Sequence, residues 1–258
     1  VNRLALHESV AVGLPPAGLV DVAHAAGFPS VGLRVAHSPG PDHFGKGAAA
    51  DELVRMVDHL LSWRVSVLDV GRVDLGVDDA ETADGVLDLA GRMGARYVTV
   101  GFAPDLEPTR AEVEFARLVH QAEPYGLVPL IVLRPDSAAS NVASATEVAG
   151  RTGGGCVLTL DLERDPFDIE DRILRAGNHL GYLRVLVEQL DGLTEDTAAG
   201  RLATVPPHIP IAVGSEVPAA PTGIDVDSLA ERAARWAQLV DTMLEHPRSR
   251  ARRLSERD

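Results

Sequence analysis

The chain has 258 residues, 24 basic against 38 acidic side chains and a formal charge of −14; one barrel of roughly 250 residues fits this length, and the charge argues against a general nucleic-acid binder. Hydrophobic residues make up 45%, enough for a packed core and too many for wholesale disorder. A single cysteine excludes an internal disulfide framework and a cysteine-only metal site.

In chain order, apolar runs typical of strands buried on both faces alternate with helical patterns. Leu4–Val10 reads as the first strand, and Ala17–Ala26 follows as a helix with Leu19, Val22, Ala23 and Ala26 on one face before Gly27. The second strand is Val31–Ala36, and the next helix, Asp51–Trp63, repeats Leu53, Met56, Val57, Leu60 and Leu61 at helical spacing. Strand Val65–Val70 leads to helix Ala80–Met93, which stops at Gly94. Strand Tyr97–Phe102 leads to helix Thr109–Glu123, where Thr109 and Glu112 have the spacing of a capping box. Strand Leu130–Leu133 precedes helix Val142–Arg151, and strand Val157–Leu162 precedes helix Ile169–Ala176. Strand Leu183–Val187 precedes helix Asp196–Thr204. Strand Ile209–Val213 precedes helix Ser228–His246, with Ser228 as its expected N-cap.

Eight strands alternating with eight helices predict a single (β/α)8 barrel over residues 1–246, followed by a polar, basic tail over residues 247–258. A doubly wound open sheet is the competing architecture. It commonly carries a glycine-rich phosphate turn after its first strand, and HESVAVGLPP has no G-x-G-x-x-G. No apolar run approaches the roughly 18 residues of a membrane helix. The opening VNRLALHESVAVG lacks the apolar core of a signal peptide. The expectation is a soluble, cytoplasmic protein with no nucleic-acid or membrane partner.

A barrel places its chemistry at the C-terminal ends of its strands. The polar residues there include His7, Glu8, Arg34, His37, Asp69, Arg72, Arg134, Asp136, Asp161, Glu163, Arg164, Arg184, Glu188, Ser215 and Glu216. His7 is an acid–base candidate by type, because imidazole titrates near neutrality, with a hydrogen-bonded structural histidine as the equal alternative. Arg34 can hold a substrate anion or close the mouth with Asp69. His37 and His43 read as solvated loop residues, and Cys156 as a small buried hydrophobe. Gly153–Gly155 precedes a strand, at the wrong end for a catalytic phosphate cradle, and reads as a turn. Lys46, the sole lysine, sits in the loop-like GPDHFGKGAAA, which argues against Schiff-base chemistry because that needs a desolvated amine.

Several stretches together resemble the sugar phosphate isomerase/epimerase-like proteins of the xylose isomerase-like barrel superfamily. They are LALHESVAVGLPPAGLVDVAHAAGFPSVGLRVA, VSVLDVGRVDL, GARYVTV, VLTLDLERD, SEVP and SLAERAARWAQLVDTMLE. The resemblance implies an isomerase or epimerase acting on a small polyol, ketose or hydroxy-keto acid. It also implies a divalent metal held by a carboxylate on the fifth strand, an aspartate on the sixth, a histidine or glutamine on the seventh and a glutamate on the eighth. Asp161 and Glu216 match two of these ligands. Val132 and Arg184 stand at the other two, Arg164 replaces a histidine common after the sixth strand, and Gly71 replaces an acidic residue after the third.

On this reading Asp161, Glu216 and His7 are the catalytic candidates, and Arg34, Arg134, Arg164 and Arg184 the substrate-binding ones. Arg164 or Arg184 is expected to pair with Asp161 or Glu216 and to replace a metal's positive charge, since guanidinium groups are permanently charged and match carboxylates. No tightly bound cofactor is expected, and manganese or magnesium only if the altered site still functions. The alternative function is a metal-independent or catalytically impaired barrel that binds an anionic small molecule through its mouth arginines. An endonuclease IV-like nuclease shares the fold, but needs a histidine- and acid-rich metal cluster and a basic face, which the sequence lacks.

Overall fold

The computed structural model describes residues 3–36, 44–45, 50–163, 166–216 and 225–245. Eight parallel strands form the barrel: β1 Leu4–His7, β2 Ser30–Ala36, β3 Ser66–Leu75, β4 Tyr97–Phe102, β5 Val128–Val132, β6 Gly155–Thr159, β7 Leu180–Leu186 and β8 Ile211–Gly214. Neighbours in sequence are neighbours in space. The ring closes through β1, with Leu6 opposite Val31 of β2 and Leu4 opposite Ile211 of β8. A two-residue strand, Phe44–Gly45, pairs with the end of β2 outside the ring.

The helices are α1 Pro16–Ala25, α2 Ala50–Trp63, α3 Ala80–Arg92, α4 Pro108–Ala122, α5 Val142–Thr152, α6 Pro166–Ala176, the short α7 Val187–Leu190 and α8 Glu195–Ala198, and α9 Val226–Leu244. The apolar faces of the long helices pack on the outside of the strands. Burial of such continuous apolar surface, at about 25 cal/mol per Å², is the main force closing the ring. The inside is a separate, smaller core of Ala5, Leu68, Tyr97, Leu130, Val157, Tyr182 and Ala212, one residue from each strand but β2.

Local chemistry moved several boundaries from their expected places. Helix α4 starts earlier than Thr109 because Pro108 presets the first helical φ. Glu107, not Thr109, is its N-cap, accepting the Arg110 N–H at 3.0 Å. Asp225, not Ser228, caps α9 by accepting the Asp227 N–H at 3.2 Å. The helix expected over Asp196–Thr204 is one turn, α8, capped by Thr194 and followed by turns. Strand β3 runs on past Val70 to Leu75, because Val73 and Leu75 keep filling the core. Gly153 ends α5 in the left-handed region at φ +89°, so Gly153–Gly155 begins with the expected turn. Cys156 is buried, and burial pushes its thiol up to about 12, which makes it unreactive. His37, His43, Lys46, Arg164 and the tail over 247–258 lie outside the described residues. Among the described residues no helix is long and apolar enough to cross a membrane.

Candidate functional site

The C-terminal ends of the strands surround two adjoining cavities. The inner one, about 250 Å³, lies over β1–β4 and is lined by His7, Ser9, Arg34, Gly71, Arg72 and Thr99, among others. The outer one, about 910 Å³, extends over β5–β8 and reaches Arg134, Asp161, Arg172 and Ser215. Arg72, Val132, Arg184 and Glu216 line both, so the two are one continuous mouth. Asp161, Arg184 and Glu216 therefore face the same end, as the strand pattern predicts, and Arg34 and Arg134 join them.

Asp161 sits two residues beyond β6. Its Oδ1 accepts the Glu163 N–H at 3.1 Å and the Gln189 side-chain N–H at 3.2 Å. Gln189 is fixed in turn, because its Oε1 accepts the Leu162 N–H at 3.2 Å. The carboxylate is thus oriented by donors from the loop after β6 and from α7. Glu216 follows β8 and is exposed to both cavities. Just before it, the Ser215 hydroxyl donates to Glu188. Arg134 lies 3.5 Å from Asp136, and Arg72 clasps Asp74, with Nε at 2.8 Å from Oδ1. Arg172, from α6, enters the outer cavity while donating to the Thr159 carbonyl at 3.3 Å.

Of the two arginines expected to pair with Asp161 or Glu216, Arg164 lies outside the described residues, and Arg184 takes a different arrangement. A terminal nitrogen of Arg184 donates to the His7 Nε2 at 3.2 Å and to the Tyr182 hydroxyl at 3.2 Å. The Tyr182 hydroxyl then donates to Asp69 Oδ2 at 3.1 Å. The reason is strand alternation: Tyr182 and Arg184 are two residues apart on β7, so both point into the barrel. From there the guanidinium reaches across to β1 rather than outward to the loops after β6 and β8.

His7, expected as an acid–base group, is 8% exposed. Its Nδ1 lies 2.8 Å from the Ser9 hydroxyl, which also accepts the Ser215 N–H at 2.9 Å. Nδ1 also accepts the Ser9 N–H at 3.2 Å, and Nε2 faces Arg184 and, at 3.8 Å, Asp69 Oδ2. Burial, then Arg184 and Arg34, push the His7 pKa well below its ordinary value. His7 is a neutral imidazole with both nitrogens engaged. Asp69 is fully buried, and burial lifts its pKa to about 6 against the opposing pull of Arg184 and Tyr182. Among the described residues its Oδ1 has no hydrogen-bond partner, and neither does the buried Nε of Arg184.

Two glycines make room for this network. A Cβ on Gly32 would lie 2.4 Å from Asp69 Oδ1 and 2.7 Å from His7 Cδ2. A Cβ on Gly214 would lie 3.0 Å from the Ser9 hydroxyl and 3.3 Å from Arg184 Cδ. Gly32→Ala is expected to destabilise the protein by about 1–3 kcal/mol, as overpacking does. Urea denaturation measures this, and an unchanged midpoint would show that the strand yields freely. Gly71 also has a steric reason: a Cβ there would lie 2.2 Å from Thr99 Oγ1.

Among the described residues no three histidine, cysteine or carboxylate side chains are grouped to hold an ion. Val132 and Arg184, which the sequence resemblance sets at two ligand positions, both line the mouth, one as an apolar wall and one as a fixed positive charge. Ser9 and Tyr182 were not singled out from the sequence, and Asp69 was read only as a mouth residue that could close with Arg34. Tyr182 was legible in principle from its spacing to Arg184, but hydroxyl, carboxyl and imidazole converge only once the ring is closed.

No family model matches the sequence, and no curated protein matches it. Solved structures do. A xylose isomerase domain containing protein from Salmonella typhimurium LT2 is 14% identical over 95% of this chain and 98% of its own, with a TM-score of 0.66. D-psicose 3-epimerase from Clostridium cellulolyticum H10, solved with D-tagatose, is 12% identical over 95% of this chain and 100% of its own, with a TM-score of 0.70. The IolI protein, solved with a zinc atom, is 13% identical over 93% and 98%, with a TM-score of 0.67. The strand order, the closed ring and these full-length superpositions agree that the chain has the fold of the xylose isomerase-like barrels.

Proposed function

We propose that the protein is an isomerase- or epimerase-like barrel that moves a proton within a small polyhydroxylated substrate, a ketose, polyol or hydroxy-keto acid. The observation that carries this reading is the single mouth in which two carboxylates, Asp161 and Glu216, share a cavity with the guanidinium groups of Arg72, Arg134 and Arg184. One carboxylate takes the proton from a carbon beside a carbonyl, and the other supplies a proton to the neighbouring carbon or to the opposite face. The developing enediolate oxygen needs a positive partner, which the arginines provide. The solved structures with sugars in equivalent barrels support the substrate class. Metal independence is part of the proposal and rests on the donor set, with Val132 and Arg184 at the ligand positions. His7, with both ring nitrogens engaged, holds Arg184 rather than exchanging protons with substrate.

A second reading has its own support. The arginines lining the mouth suit a carboxylate or phosphate ligand, so the barrel can serve as a binder of anionic small molecules without turnover.

Incubation with ketoses and hydroxy-keto acids in D2O separates the two. Proton transfer puts deuterium on carbon, which NMR detects, and Glu216→Gln is expected to slow the exchange at least about 100-fold, the usual scale for loss of an acid–base group. Ligand-induced stabilisation with no exchange in any substrate would favour the binder.

A further inference from the structure

The proton-transfer reading leaves Asp69, Tyr182 and Ser9, all buried beneath the mouth, without a use. Burying a carboxyl group and a guanidinium in a barrel core is costly unless each is compensated. Here the compensation is a chain. Asp69 Oδ2 accepts from the Tyr182 hydroxyl, that hydroxyl accepts from Arg184, and the same Arg184 nitrogen reaches His7, whose other nitrogen meets Ser9. Asp69 and Tyr182 are both 0% exposed. Gly32 and Gly214 give up their side chains to the space that the chain occupies. One terminal nitrogen of Arg184 is consumed by these contacts, and Nε is enclosed in protein. The other terminal nitrogen makes no hydrogen bond among the described residues, and Arg184 lines both cavities. A long side chain with several rotatable bonds is thereby held in one pose, with one face of its fork aimed at the mouth.

We infer that Asp69 and Tyr182 are positioning residues that fix Arg184 as the permanent cation of the site, and that its outward nitrogen anchors an anionic oxygen of the substrate in the place of a metal ion. This deepens the reading above, on which it rests for the nature of the substrate. A guanidinium held in advance loses little freedom when the ligand arrives, so the anchor acts through preorganisation. Arg34 and Arg72, on the wall of the inner cavity, add positive potential, but Arg72 is already committed to Asp74.

The hydroxyl of Tyr182 is the informative group to remove, because Tyr182→Phe keeps the ring in the core. Calorimetric titration of the full-length protein with inorganic phosphate at pH 7, with and without EDTA, provides the probe. Wild type is expected to bind one equivalent equally well in both. Arg184→Met is expected to abolish binding, and Tyr182→Phe and Asp69→Asn to weaken it about tenfold at the same fraction folded by circular dichroism. Arg96→Ala, at the opposite end of the barrel, is the control and leaves the affinity unchanged. Retained affinity in Arg184→Met, or loss of wild-type binding in EDTA, overturns the anchor. A lowered melting temperature in Tyr182→Phe and Asp69→Asn with affinity intact reduces both residues to structural ones and overturns the positioning role. Phosphate binding that follows the expected pattern, with no deuterium exchange in any substrate, removes the isomerase reading and leaves the anchor standing.

Discussion

Manganese titrated into the wild-type protein is expected to bind no tighter than millimolar, whereas Val132→Glu combined with Arg184→His is expected to bind one equivalent in the micromolar range. The change is about 1000-fold or more, on the order of 4 kcal/mol. Two terms produce it. Wild type offers two carboxylates, Asp161 and Glu216, and a competent site of this kind uses about four protein ligands. The guanidinium of Arg184 also repels a dication across the same cavity, by several kcal/mol at an effective dielectric of about 20 and a separation of about 5 Å. The double substitution removes the repelling charge and adds two donors beside Asp161 and Glu216. Calorimetry and manganese electron paramagnetic resonance on dialysed protein measure both states. Micromolar binding by wild type through Asp161 and Glu216 would defeat the charge argument. A folded double variant that binds nothing would show that those two carboxylates are not a ligand pair.

The second large effect is on stability against pH. His7 and Asp69 are both buried, and their shifts have opposite consequences. His7 resists protonation in the fold, with a pKa well below the ordinary value of 6.5. The unfolded chain therefore takes up the extra proton below about 6.5, and stability falls as pH falls through that range. Asp69 has its pKa raised from 3.8 to about 6. The folded state therefore holds the extra proton between those values. Its contribution is fully present below about 3.8 and is lost as pH rises through about 6. Below about pH 6 the two slopes oppose each other. In His7→Gln the opposing slope is removed, and stability is expected to fall more steeply from pH 4 to 6 than in wild type, by at most roughly 1.4 kcal/mol per unit for this one group. Urea denaturation at half-unit steps measures the difference. Parallel curves for the two proteins would mean that His7 titrates in the fold much as it does in the unfolded chain.

Both effects depend on groups that the linear sequence presents unequally. Val132, Asp161 and Glu216 were legible because each stands at or just past the end of an apolar run, and the end of a parallel strand is where a barrel opens; Arg184, inside β7, was picked out as the charged residue of its strand. Among the strand ends that were misplaced, three starts contain proline or glycine: β5 opens with Val128 and Pro129, β6 with Gly155, and β7 with Leu180 and Gly181. Proline and glycine weaken the sequence pattern there. In the closed ring, however, the missing side chains are an advantage. A Cβ on Gly155 would lie 2.6 Å from the His179 carbonyl oxygen, and one on Gly181 would lie 2.2 Å from Leu130 Cδ1.

The sequence by itself determined the alternation, the barrel and the end of it that carries Asp161, Arg184 and Glu216, because apolar periodicity and residue type are local properties. Which partner that arginine takes was decided only by the tertiary structure. Arg184 reaches His7, 177 positions away along the chain, and Tyr182 reaches Asp69 across 113. Those contacts exist because β7 and β1 are separated by one strand in the ring, and β3 faces them across a narrow interior. Alternation on β7 sends the guanidinium inward before it can reach the loops that carry Asp161 and Glu216. Ring closure brings β1 within its span, and only then does a neutral His7 become a hydrogen-bond acceptor for a fixed charge.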